Sequence, residues 1–283
     1  MSSTTPEEIG PAVPKRWNFR RVVSGALLVA GFVLLKLKAV LLLMIEQGRL
    51  LFVNPLEGFG VWQFAVAGGS MAVTIAAYAR QKYPMGLILG FVIITAIHEL
   101  GHALVIRAKG LRTGWMVFIP FIGGAVTIKD QPRTAFDDAQ IGLAGPIAGT
   151  FASLVALQIY KWTDTPLYLL IAFVGFSLNL LNLLPLGLLD GGRISGAITK
   201  WMWLIGGAVV TYKTVAHPNV LLVLILLLSA FQVYASIVRE KSEEFYRVTG
   251  GQRAAVAVAY FSLVIFLGHQ ALMAFDRLGA IAK

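Results

Sequence analysis

The sequence predicts an all-α polytopic membrane protein with about seven transmembrane helices, a short membrane re-entrant β-hairpin and an N-terminal interfacial helix or hairpin. Three observations predict it. Of the 283 residues, 57% are hydrophobic and only 13% charged, and mean hydropathy is +0.76, far above that of a soluble domain. Apolar runs recur at about 61–79, 85–107, 138–160, 166–186, 200–214, 219–238 and 254–275, most of them near the ~20 residues that cross a bilayer. One further apolar stretch, Trp115 to Ile128, is β-branched, aromatic and interrupted by Pro120 and Gly123-Gly124. It is too short and too broken for a spanning helix, and a hairpin or loop dipping into the membrane fits it better.

Taken in order, Met1 to Arg21 is polar, holds three prolines and two acidic residues, and reads as a flexible tail without the small-residue cleavage site of a signal peptide. Residues 22–53 are apolar but carry Lys36, Lys38, Glu46 and Arg49. A single straight span would bury both lysines near its middle, whereas an interfacial helix or shallow hairpin lets them reach the headgroups. Residues 61–200 then form the expected catalytic membrane core, and 201–283 the C-terminal transmembrane helices. The sixth span is nearly all aliphatic from Leu221 to Leu228, while the fifth is short and includes Lys200. No interior polar stretch is long enough for an extramembrane domain.

Charge orients these spans. The net charge of +10 would suit nucleic acid, but no basic stripe with interleaved aromatics exists, and the cations are scattered among short loops. Alternation of the spans places the tail, 22–53 and the loops 107–137, 187–200 and 239–253 on one side. That side holds 18 of the 24 Lys and Arg. The positive-inside rule makes it cytoplasmic. The expected location is therefore the cell membrane, multi-pass, with the lipid bilayer as a partner and no nucleic acid.

Chemistry concentrates in His98-Glu99-Leu100-Gly101-His102, inside the apolar run Met85 to Ile106. On a helix, residues four apart differ by about 40° around the axis, so both imidazoles point the same way. Glu99 is turned by roughly 100° from His98, close enough to hold a water bound to whatever the histidines hold. This pattern fits a zinc site with a general base beside it. Ionisable groups at membrane depth cost several kcal/mol and are rarely kept without a function. The alternative is two buried polar residues in a helix bundle.

A catalytic zinc takes about three protein ligands, and with no cysteine in the chain the third must be a carboxylate or another histidine. His217 and His269 both fall towards the predicted outer side. Asp190, in Asn182-Leu-Leu-Pro-Leu-Gly-Leu-Leu-Asp-Gly-Gly-Arg193, follows a span that runs in the same direction as the histidine span. Pro185, Gly187, Gly191 and Gly192 break that helix and let an irregular segment turn the carboxylate inward, which is acceptable where it lines a polar cavity. The ordinary reading of Asp190-Gly191 is a turn after a helix; a zinc motif lacking a ligand reverses that preference. Asn179 and Asn182 lie on one helical face nearby, and Asn182 suits either an oxyanion donor or helix-to-helix glue. Gly145-Pro146 lets two helices approach closely.

His-Glu-Leu-Gly-His in one span, Gly-Pro in a later one and Asn-x-x-Pro-x-x-x-x-Asp-Gly-Gly in another resemble the site-2 protease family of intramembrane zinc metalloproteases. The resemblance covers roughly residues 85–200. It implies Zn2+ held by His98, His102 and Asp190, Glu99 as catalytic base, and Asn182 as an oxyanion or substrate-positioning residue. It also implies a transmembrane protein substrate and a β element, near 115–128, that pairs with the unwound substrate. Two features depart from the pattern. Many members carry a PDZ or CBS domain, for which no stretch here has room, and Leu186-Gly-Leu-Leu189 lacks the second proline often found before the aspartate.

The expected activity is zinc-assisted hydrolysis of peptide bonds in membrane-embedded substrates, with the active site nearer the cytoplasmic face. Two alternatives stand beside it: a membrane zinc protease acting on soluble or loop substrates, and a non-catalytic metal-binding scaffold or transporter. An intact Glu99 argues against the last, because a purely structural site needs no base.

Overall fold

Seven helices, one two-stranded sheet and one 3-10 turn make up the described residues of the computed structural model. These are 61–120, 123–187, 189–199, 201–216 and 242–282, with four positions between 217 and 241, all within the unit Leu56–Lys283. The expected tail and the 22–53 segment lie outside them, as does nearly all of the sixth span.

Helix α1 (Val61–Ala79) runs into a turn at Lys82, and Pro84 then opens α2 (Met85–Ala108). Helix α2 stops where Gly110 takes a φ of 73°, which a side chain resists. There the Leu111 amide donates to the Ile106 carbonyl and the Gly110 amide to the Arg107 carbonyl, closing the last turn. On α2, Leu89, Ile93, Leu100 and Leu104 are exposed along one face, while Ile88, Val92, His98, Glu99, His102 and Ile106 are buried on the other. An exposed face as apolar as the core is what lipid asks for.

Strands β1 (Thr113–Ile119) and β2 (Gly123–Ile128) pair antiparallel as the expected hairpin, in the register Met116↔Val126 and Phe118↔Gly124, with a bulge between Thr113 and Met116. The Thr127 hydroxyl fills the bulge by accepting from the Trp115 amide at 2.8 Å. Arg112 and Asp130 pin the base through a 2.8 Å ion pair and the Arg112 amide. Those side-chain and backbone hydrogen bonds from Arg112 hold the Asp130 carboxyl down at about 2. At the other edge, Ser70 and Thr74 of α1 satisfy both backbone groups of Phe118.

Helix α3 (Ala135–Thr163) begins at Thr134, whose side chain accepts from the Asp137 amide, and ends at Asp164 with φ 49°. It packs against α2, α4 (Pro166–Asn182), α5 (Asp190–Ile198) and α7 (Gly250–Ile281), and so stands at the centre of the core, its own Leu143 buried with Ile94, Phe176, Ile194 and Leu267 of the helices around it. Small residues make these approaches possible. A Cβ on Gly101 would meet the Ala144 carbonyl at 2.5 Å, and one on Gly175 would meet Ile94 at 2.7 Å. Helix α6 (Met202–Ala216) follows α5, and the 3-10 turn Glu243–Tyr246 leads to α7, which opens with a Thr249–Gln252 capping box.

Helices α2, α3 and α7, at 24, 29 and 32 residues, are long and apolar enough to cross a membrane; α4, α6 and most of α1 are apolar but shorter. One element was not expected. The segment after Pro185 does not stay irregular but starts α5 at Asp190, because Gly191 and Gly192 fit against the carbonyls of Leu183, Leu184 and Leu186.

Candidate metal centre

Helix α2 presents His98 and His102 on its buried face, four residues apart, with 3% and 5% of their surface exposed. Their Nε2 atoms lie 3.1 Å apart. Helix α5 brings Asp190 to both: Oδ2 is 3.1 Å from His98 Nε2 and Oδ1 is 3.1 Å from His102 Nε2. The three side chains form a closed triangle, the metal-ligand cluster found among the described residues.

The hydrogen bonds behind the rings decide what this triangle offers. Asn179 on α4 donates its amide to the Gly175 carbonyl at 2.8 Å, which turns its Oδ1 towards His98. His98 Nδ1 therefore donates to Asn179 at 2.8 Å, and His102 Nδ1 donates to the Ile141 carbonyl at 2.7 Å. With both Nδ1 atoms protonated, both neutral rings aim an Nε2 lone pair inward. Asp190 Oδ2 is buried without a hydrogen-bond donor. Two lone pairs and a carboxylate converging at 3.1 Å repel one another unless a cation sits among them. Bonds of about 2.0–2.2 Å in a tetrahedral zinc site place ligand atoms roughly 3.3 Å apart. The donor set, its spacing and its backing hydrogen bonds therefore fit Zn2+.

Glu99 is 4% exposed and faces the hairpin. The Val126 amide of β2 donates to its carboxylate, and a Cβ on Gly124 would lie 2.6 Å from Glu99 Cγ. The register explains the contact. Phe118 turns its backbone groups outward to α1, so its partner Gly124, and Val126 two residues on, turn theirs outward on the opposite edge. That edge of β2 is the one beside Glu99.

The sequence singled out His98, Glu99, His102 and Asp190, and the fold brings all four together. Gly145 lies against the His102 ring, where a side chain would overlap it, as expected of the Gly-Pro pair. His269 is exposed on α7, apart from the cluster, and His217 is outside the described residues. Asn182 closes α4 half-buried, while the amide that reaches the cluster is Asn179, one turn earlier. Sequence reading noted Asn179 without a role. Its signal was position: a fully buried amide three residues before Asn182, on the same helical face.

Comparison with known proteins agrees with this geometry. Residues 86–163 match the model of peptidase family M50. A zinc metalloprotease of Methanocaldococcus jannaschii is 31% identical over 137 residues, which span 47% of this chain and 39% of the relative. The stage IV sporulation protein FB of Bacillus subtilis is 28% identical over 123 residues, 42% of each chain. The matched part is thus about two fifths of each relative's own length. From the histidine helix through the hairpin to the end of α3, this chain is similar to peptidase family M50.

Proposed function

We propose that the protein is an intramembrane zinc metalloprotease that hydrolyses peptide bonds of membrane-embedded protein substrates. The observation that carries this reading is the convergence of three ligand atoms beside a buried carboxylate, two of them on a helix of membrane-spanning length. Zinc held by His98, His102 and Asp190 would lower the pKa of its bound water towards about 7 and polarise the scissile carbonyl. Glu99 takes the proton of the attacking water and passes it to the leaving amine. Asn182, at the end of α4, donates a hydrogen bond to the developing oxyanion. The β2 edge beside Glu99 receives the unwound substrate as a third strand, its backbone groups supplying the hydrogen bonds that a broken helix needs.

The charge bias supports a site nearer the cytoplasmic face of a multi-pass protein. His98 lies about 15 Å from the end of α2 at Ala108, from ten residues of 1.5 Å rise.

The experiment is a proteomic comparison of membranes expressing the wild type and Glu99→Gln. The amide keeps the shape of the carboxylate but cannot accept the proton. The expected outcome is a set of membrane-protein fragments in the wild type that is absent from the variant, with the metal content of the two equal. Identical fragment profiles from metal-loaded proteins would overturn the reading.

A further inference from the structure

Asp190 is the only member of the cluster that does not stand within a long helix. It sits where α4 has broken at Leu183 and α5 begins, seven residues later. A helix end leaves carbonyls without intrahelical donors, and at membrane depth water is not at hand to satisfy them. The Leu183 carbonyl is one of these. It accepts from the hydroxyl of Tyr260, 77 residues away on α7, at 2.6 Å, and both residues are buried. Tyr260 is ten residues from the start of α7, about 15 Å along its axis, and His98 is as far from the end of α2. The phenol is thus delivered at the depth of the metal ligands.

The same carbonyl touches the other end of the break. Gly191, the residue after Asp190, packs against the Leu183 and Leu184 carbonyls so closely that a Cβ would overlap them. The oxygen that Tyr260 holds is therefore the surface on which the first turn of α5 rests. We propose that Tyr260 is a positioning residue for Asp190: by fixing the Leu183 carbonyl it sets where α5 starts, and so where the carboxylate meets the two histidines. Tyr260 lies outside the segment matched by the family model, on the last helix of the chain. Other supports of α5 act further along it. Arg193 pairs with Asp138 at 2.9 Å, Trp203 donates to the Gly192 carbonyl at 3.2 Å, and Arg253 donates to the Ile198 carbonyl.

The inference rests on Asp190 being a metal ligand, and a double-mutant cycle on the full chain in detergent separates the two claims. Affinity for Zn2+ is measured by chelator competition in the wild type, Tyr260→Phe, Asp190→Ala and the double variant, and Co2+ spectra report the ligand set. Tyr260→Phe keeps the ring and its packing, and helical content checks the fold. The expected result is an affinity loss of about tenfold for Tyr260→Phe, the lower end of what outer-shell partners of metal ligands cost. A larger loss is expected for Asp190→Ala, with no further loss when both are changed. A purely structural role would instead make the two losses multiply, which overturns the proposal. So does an unchanged affinity and Co2+ spectrum in Tyr260→Phe. If Asp190→Ala itself leaves affinity unchanged, the ligand assignment falls, and this inference falls with it.

Discussion

Asn179 decides which lone pair His98 offers. Its carbonyl oxygen accepts from Nδ1, and its own amide is tied to Gly175, so the ring can neither flip nor change tautomer without losing a buried hydrogen bond. Asn179→Leu should therefore weaken zinc binding by about 10- to 100-fold, while Asn179→Asp, which still accepts from Nδ1, should bind at least as well as the wild type. Isothermal titration against a competing chelator checks both. Gly124 plays the corresponding part for Glu99. A methyl at residue 124 must displace the carboxylate, because its Cγ would stand only 2.6 Å away. Gly124→Ala is expected to lower turnover by about 100-fold, the cost of misplacing a catalytic group by roughly 1 Å, with zinc content unchanged. Turnover of a reporter substrate, read beside metal analysis, separates a displaced base from a lost metal.

The hairpin works as an element rather than as a set of side chains. One edge is closed by Ser70 and Thr74 of α1, and the base by Arg112 and Asp130. The opposite edge carries the Val126 amide to Glu99. Its contribution to the site is therefore a backbone donor, which any side chain at residue 126 leaves in place and proline alone removes. Val126→Pro should abolish cleavage while zinc stays bound, and Val126→Ala should cost only a few-fold. If proline substitutions across 117–128 all leave cleavage intact, strand addition of substrate is wrong and the segment is a connector. The broken α4–α5 junction is the second such element. Its glycines accept neighbouring carbonyls where no side chain fits, and this lets a carboxylate from one helix pair meet histidines from another.

At the scale of the whole molecule, the cation bias of 18 against 6 leads us to expect the tail and the 239–253 loop on the cytoplasmic side. The chain has no cysteine of its own, so single introduced cysteines report accessibility cleanly. A cysteine at residue 5 should stay unlabelled by an impermeant reagent in intact cells and react after permeabilisation. Labelling in intact cells would reverse the assignment of the tail and require 22–53 to cross. The outward faces of α2 and α7, with Leu104, Val258, Ile265 and Phe275 exposed, are apolar where a soluble protein would be polar, in keeping with a lipid surround.

How much of this was legible in the sequence follows from the range of the interactions involved. Helical periodicity alone puts His98 and His102 on one face with Glu99 beside them, since four residues span barely a turn. Hydropathy and length mark α2, α3 and α7, and Pro120 with Gly123-Gly124 marks the hairpin, because spanning and turning are local properties of the chain. The choice of Asp190 rested on ligand counting and depth, and the fold sets its carboxylate 3.1 Å from both histidines. What local patterns could not carry was contact between distant segments. That Asn179 and not Asn182 reaches the histidines depends on how α4 rotates against α2 and α3. That β2 rather than β1 faces Glu99 depends on α1 having taken the other edge. That the residues after Pro185 fold into α5 depends on carbonyls that only Gly191 and Gly192 can approach, and on a hydroxyl arriving from α7. The sequence by itself determined the membrane class, the donor types and the helical spacing of the pair. The tertiary structure decided the outer hydrogen bonds, the working edge of the hairpin and the placement of Asp190, because each is set by packing between residues 27 (Val126 and Glu99) to 92 (Asp190 and His98) positions apart, beyond the reach of local propensity.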